Sequence, residues 1–142
     1  MNQFNTTSVF IVEDHEVVRR VLSQFIERLP DFSLCGAAAT AEAALAQIPN
    51  YQPQLVLVDV SLPGMNGIEL IRILHEQYPT MWTLAVSAHE EGVYAGQALN
   101  AGARGYVMKG KTEQLREALR QISSGNIYLS ERMETLLNRR KQ

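Results

Sequence analysis

The stretch Leu55-Val56-Leu57-Val58-Asp59 limits the fold more than any other part of the chain. Successive side chains of a strand point to opposite faces, so a strand with one wet face alternates apolar and polar residues. This run does not alternate. It therefore needs cover on both faces, the situation of a strand inside a parallel sheet. It ends in an acid, and Pro63, Gly64 and Gly67 then break the chain. An Asp at a strand end ordinarily opens a turn by accepting from nearby backbone N–H groups. Whether Asp59 does more depends on what the other strands carry at their ends.

Short apolar runs at 8–13, 32–39, 81–87 and 105–108 read as four further strands. Between them apolar residues recur at helical spacing. In 15–29 the recurring set is Val18, Val21, Leu22, Phe25, Ile26 and Leu29, expected to face the core, and Pro30 closes the helix. Thr40 is the expected N-cap of an alanine-rich helix that Pro49 ends. Asn66 or Gly67 opens a third helix burying Ile68, Ile71 and Leu74. A fourth, 90–102, is rich in Gly and Ala and is expected to bury little beyond Val93 and Leu99. The fifth, 112–124, sets Leu115, Ala118, Leu119 and Ile122 on one face. Strands alternating with helices imply right-handed βαβ crossovers and a doubly wound α/β fold, a five-stranded parallel sheet with helices on both faces.

After Ser124-Gly125-Asn126, Ser130 reads as the N-cap of a short tail helix with Met133, Leu136 and Leu137 as its apolar stripe. The expected organisation is one domain over 1–126 and a helical extension or linker over 127–142. A length of 142 residues suits one domain with a real core. A net charge of −2 recommends neither a nucleic-acid nor a membrane surface, and the only basic run is Arg139-Arg140-Lys141. The single cysteine, Cys35, has no internal partner and is expected to be a buried, inert thiol in a reducing, cytoplasmic setting. No segment is apolar for long enough to span a bilayer, and the opening MNQFNTTS is not a signal peptide.

Ligands of open α/β sheets bind beyond the carboxyl ends of the strands. There the chain carries Glu13-Asp14, Asp59, Ser87 and Lys109. Each has an ordinary explanation alone: a helix cap, a turn acid, a turn hydroxyl, a solvated charge. Together they gather three carboxylates, a hydroxyl and an ammonium on one sheet edge. Two like charges ~4 Å apart repel by roughly 4 kcal/mol at an effective dielectric near 20. Such a cluster needs a cation, and hard oxygen ligands point to Mg²⁺. The three histidines, His15, His75 and His89, show no metal-ligand spacing.

With this set in view, residues 8–126 resemble the receiver domains of two-component response regulators. The resemblance rests on the acidic pair Glu13-Asp14, on Asp59 followed by L-P-G-M-N-G, on Ser87-Ala88, and on Tyr106 with Lys109. It implies a flavodoxin-like sheet of order 2-1-3-4-5. It also implies that Asp59 takes a phosphoryl group from a sensor histidine kinase or phosphotransfer protein, with no enzymatic activity beyond its own phosphorylation and slow dephosphorylation. Glu13, Asp14, Asp59 and the Ser61 carbonyl would hold Mg²⁺, and Lys109 would pair with the phosphoryl group. Ser87 and Tyr106 would form the switch: the hydroxyl draws its loop inward and the ring rotates into the space vacated. Ser61 and His89 occupy positions that tune hydrolysis. Most members have a proline after the lysine, in a cis bond; Gly110 stands here, and a cis bond without proline costs ~2.5–4 kcal/mol. That bond is therefore either trans or held strained by the site.

The segment SGNIYLSERMETLL resembles the junction between receiver and DNA-binding domain in LuxR-type regulators. The expected output is transcription, with DNA contacted only through a C-terminal domain outside these residues and with a homodimer forming on phosphorylation. A stand-alone receiver or an unphosphorylated interaction scaffold is the alternative, though scaffolds usually lack a key side chain and none is lacking here. A flavin carrier would want free N–H groups after the first strand, where EDHE offers repulsion. An aspartate-nucleophile phosphatase would carry an acid at position 61, where Ser stands.

Overall fold

A computed structural model describes residues 6–141, apart from the side chains of Glu91 and of 137–141. The elements run β1 (Thr7–Val12), α1 (Glu16–Glu27), β2 (Phe32–Ala38), α2 (Ala41–Tyr51), β3 (Leu55–Asp59), α3 (Gly67–Gln77), β4 (Trp82–Ser87), α4 (Glu91–Ala101), β5 (Tyr106–Met108), α5 (Thr112–Ser123) and α6 (Glu131–Lys141). All strand pairs are parallel and the order is β2-β1-β3-β4-β5. The expected doubly wound sheet is what forms, with the Leu55–Asp59 run as its middle strand.

The missing alternation has its reason in two apolar layers. Phe10, Val12, Val56, Val58, Ala85 and Tyr106 face α2, α3 and α4. Their neighbours in sequence, Val9, Ile11, Leu55, Leu57, Leu84, Val86 and Val107, face α1 and α5. Both faces of the central strands are dry, where a polar group without a partner is costly; Thr83 on β4 bears that cost, its Oγ1 buried without a hydrogen bond.

Helix caps follow the sequence. Thr40 Oγ1 accepts from the Ala43 N–H at 3.0 Å, and Asn66 Oδ1 from that of Glu69 at 2.9 Å. Ile71 and Leu74 are buried as expected, while Ile68 is half-buried and Leu70 takes the inner place. Leu115, Ala118, Leu119 and Ile122 of α5 are all buried.

Four further expectations are corrected. Pro49 does not end α2; the ladder resumes beyond it, with the Gln52 N–H donating to the Ile48 carbonyl at 2.8 Å, and Gln52 closes the helix in the left-handed region at φ 48°. A proline in the last turn removes one hydrogen bond and leaves the rest. On α1 only Ile26 is fully buried, and Val21 remains 58% exposed. The first turns of α1 stand at the carboxyl edge of the sheet, where Val17, Val21 and Phe25 face Met108, Lys111 and Leu115 across an open groove. On α4 the inner face is Ala95, Ala98 and Ala101, and Val93 points outward. Cys35 is half-buried on the edge strand β2; burial still pushes its thiol pKa up, away from reactivity.

The tail is integrated with the domain. The Tyr128 N–H donates to the Arg104 carbonyl at 2.8 Å, and Tyr128 pairs with Gly105 as a parallel bridge that continues the sheet past β5. Ser130 caps α6, accepting from the Met133 N–H at 3.1 Å, and Met133 is 1% exposed in the α4 layer. Arg132 meets Glu90 at 3.3 Å, and Leu136 stands over Gly92. The side chains of Leu137, Arg139, Arg140 and Lys141, and the opening residues 1–5, lie outside the described residues. Among the described residues no helix is long and apolar enough to cross a membrane.

Candidate functional site

Parallel register brings the strand ends together. Val12 pairs with Val58, Asp59 with Val86, and Ser87 with Met108, so residues 13, 14, 59, 87 and 109 leave one edge of the sheet. The chain around Asp59 is tightly held. The Val60 N–H donates to the Val86 carbonyl and the Gly67 N–H to that of Val60, both at 3.0 Å. Only glycine fits at 67, because a Cβ there would lie 2.0 Å from the Asp59 carbonyl oxygen. The start of α3 is thus pressed against the end of β3.

Asp59 is 2% exposed. Its Oδ1 accepts from the Ser61 N–H at 3.1 Å, and its Oδ2 faces Lys109 Nζ at 3.3 Å. The same ammonium lies 2.9 Å from Glu13 Oε1. Burial pushes the Asp59 pKa up to about 6; Glu13 and Asp14 add to the rise, and the Ser61 N–H and Lys109 oppose it. For Lys109 burial alone would depress the pKa, but the hydrogen bond to Glu13 and the charges of Asp59 and Glu13 outweigh it, and the ammonium is held above its ordinary range.

The expected switch residues also meet. Ser87, fully buried, accepts from the His89 N–H at 3.0 Å, and the Tyr106 hydroxyl donates to the His89 carbonyl at 2.9 Å. The Tyr106 ring is wholly buried and so already occupies the inward position. The His89 ring rests edge-on against Tyr94 at 5.2 Å. Ser61 is exposed beside Asp59. The Lys109–Gly110 peptide is trans, with Gly110 at φ +88°.

Two residues of the site escaped sequence reasoning. His15, set aside for lack of ligand spacing, places Nδ1 3.2 Å from Glu13 Oε2 and 3.4 Å from Asp14 Oδ1. Its signal was adjacency to the acidic pair, which a search for paired histidines passes over. Arg19 Nη1 donates to the Glu13 carbonyl at 2.8 Å and fixes the turn after β1. Nothing in the sequence marked it.

Glu13, Asp14, His15 and Asp59 each offer a ligand atom, all within 4.8 Å of one another. Asp14 Oδ1 and Asp59 Oδ2 are sealed from solvent without a hydrogen bond. Lys109 offsets one of the three carboxylate charges; the rest is costly to bury unless a further cation neutralises it, and the carboxylate oxygens fit a hard divalent ion.

The family model of the response regulator receiver domain matches residues 9–120. The chain belongs to this family. It is 33% identical over 140 residues to the nitrate/nitrite response regulator protein NarL of Escherichia coli, covering 96% of this chain and 64% of NarL. It is 35% identical over 130 residues to the DNA-binding transcriptional activator DevR/DosR of Mycobacterium tuberculosis, covering 91% of this chain and 60% of that one. The crystal structure of a LuxR-family two-component response regulator from Aurantimonas superposes with a TM-score of 0.88 at 29% identity, covering 96% of this chain and 99% of the other. The receiver thus resembles those of LuxR-type transcription regulators, and it spans about three-fifths of the length of these curated relatives.

Proposed function

We propose that this receiver accepts a phosphoryl group on Asp59 from a phosphohistidine of a sensor histidine kinase or phosphotransfer protein. An Asp59 carboxylate oxygen attacks phosphorus, the P–N bond breaks, and the imidazole leaves and takes up a proton. The observation that carries this is the buried Asp59 carboxylate, with an oxygen free of hydrogen bonds 3.3 Å from Lys109. Lys109, tied to Glu13, is placed to follow the charge as it moves onto the phosphoryl oxygens. A Mg²⁺ ion held by Glu13, Asp14, Asp59 and the Ser61 carbonyl would neutralise carboxylate and phosphoryl charge. Ser87 would donate its hydroxyl to a phosphoryl oxygen, and the shift this needs would strain the bond it now accepts from the His89 N–H, disturbing the loop that Tyr106 grips. Ser61 and His89 would set the lifetime of the acyl phosphate, and the chain has no further enzymatic activity. The reading places the protein in the cytoplasm, controlling transcription through a C-terminal DNA-binding domain beyond these residues and dimerising when phosphorylated.

The test is intact-mass analysis after incubation with Mg²⁺ and acetyl phosphate. A phosphoryl adduct should form on the native chain, be removed by chelation of the cation beforehand, and be absent from Asp59→Asn. An adduct of equal yield on Asp59→Asn overturns the assignment.

A further inference from the structure

We infer that His15 is a direct ligand of the divalent cation and makes the site favour d-block ions that accept a nitrogen ligand, Mn²⁺ among them, over Mg²⁺. The inference deepens the cation site described above and rests on that reading. His15 stands at the N-cap position of α1, yet its side chain caps nothing. Its N–H donates to Glu13 Oε2 at 3.1 Å, and its ring turns the same way, setting Nδ1 3.2 Å from that oxygen. A side chain 67% exposed has other rotamers open to it, and this one leans over the carboxylates.

The distances agree with ligands sharing one ion. Two ligand atoms at right angles on an ion with bonds of about 2.1–2.4 Å are about 3.0–3.4 Å apart, and opposite ones about 4.2–4.8 Å. Nδ1 lies 3.2 and 3.4 Å from Glu13 Oε2 and Asp14 Oδ1, and all four candidate ligand atoms fall within 4.8 Å. Asp59, 2% exposed, turns Oδ2 toward Lys109 at 3.3 Å, and Asp14 Oδ1, sealed from solvent without a hydrogen bond, lies 3.4 Å from His15 Nδ1. Mg²⁺ prefers oxygen and gives up its water reluctantly, so an imidazole adds little to its binding; Mn²⁺ also favours oxygen but accepts a nitrogen beside it, and later ions of the series gain more from one. Discrimination therefore follows from one nitrogen among oxygens.

The experiment titrates the chelator-treated protein with Mg²⁺ and Mn²⁺ by calorimetry and records pulsed EPR on the Mn²⁺ form. Native protein should show ¹⁴N modulation from a bound imidazole. His15→Ala should abolish it and weaken Mn²⁺ roughly tenfold, with Mg²⁺ changed less than twofold, and His15→Asn should not restore the modulation. Absence of ¹⁴N modulation in the native protein, or equal losses for both ions in His15→Ala, overturns the inference and reduces His15 to a hydrogen-bond partner of Glu13. Asp14→Ala provides the separate control. If it leaves both ions bound as before, the cation site itself is misplaced, whatever His15 does.

Discussion

Asp59 owes its character to being an acid where solvent is absent. With a pKa of about 6 in the folded chain against an ordinary value of 3.8, the native state holds this proton more tightly than the unfolded chain does. Without a divalent cation, its contribution to stability is fully present below about pH 3.8 and is lost as the pH rises through about 6. Two pKa units correspond to roughly 3 kcal/mol, an upper bound because Lys109 loses its partner in any substitution. Asp59→Asn should therefore stabilise the cation-free protein by about 1–2 kcal/mol at pH 7.5, measured by urea unfolding, and should blunt the stabilisation that Mg²⁺ gives the native chain. A less stable Asp59→Asn would mean that the carboxylate is a net structural asset. Gly67→Ala tests the other constraint on the same residue. The added Cβ meets backbone at 2.0 Å, so β3 and α3 must part, with an expected loss of more than about 3 kcal/mol and weaker phosphorylation at Asp59. Asp59, Lys109 and Ser87 were legible because strand ends can be read from apolar runs. His15 and Arg19 were not, because their contacts depend on how the turn after β1 folds back, which has no periodicity.

Among the elements, α1 and α4 differ most from what the pattern suggests. Their apolar residues were legible, but not which of them the sheet would cover. On α1 the carboxyl edge of the sheet ends before Val17 and Val21 do, leaving them 68% and 58% exposed in a groove that Lys109 also lines. On the proposed function, a phosphohistidine protein docked over this groove would stand beside Lys109, which faces Asp59. Val21→Glu is expected to slow transfer from such a donor protein roughly tenfold and to leave labelling by acetyl phosphate unchanged; equal effects on both donors would rule the groove out as a docking surface. On α4 alanine is indifferent to burial, so its spacing gave no face, and the inner row became Ala95, Ala98 and Ala101. An element held by methyl groups buries little area and opens easily. Beryllofluoride with Mg²⁺ should alter amide exchange across 87–108 and in α6, and hardly at all in α2. A response confined to 41–51 would place the signalling face on the other side.

For the whole molecule, the two apolar layers lie on opposite faces of the sheet, and Asp59 ends its middle strand, which has strands paired on both sides. The two edges of that sheet are treated differently. β2 ends it on one side, whereas β5, three residues long, is continued by Tyr128 and roofed by α6. Met133→Ala should cost about 2–3 kcal/mol by leaving a cavity under that roof. It should also raise exchange in α4 before it does so in β1 or β3; uniform loosening would show that α6 is merely one more part of a single cooperative unit. The order of these attachments also matters to a chain under tension. Pulled between residues 6 and 141, α6 is expected to peel away first, since the Arg132–Glu90 ion pair, Leu136 over Gly92 and the buried Met133 tie it to α4 and the core through side chains, whereas the strands are tied by ladders of backbone hydrogen bonds. The Tyr128 bridge parts next, then the short pairing of β5 with β4, and Lys109 is drawn away from Asp59 while the three strands at the centre still hold. Force applied at the tail would thus disarm the site long before it unfolded the domain.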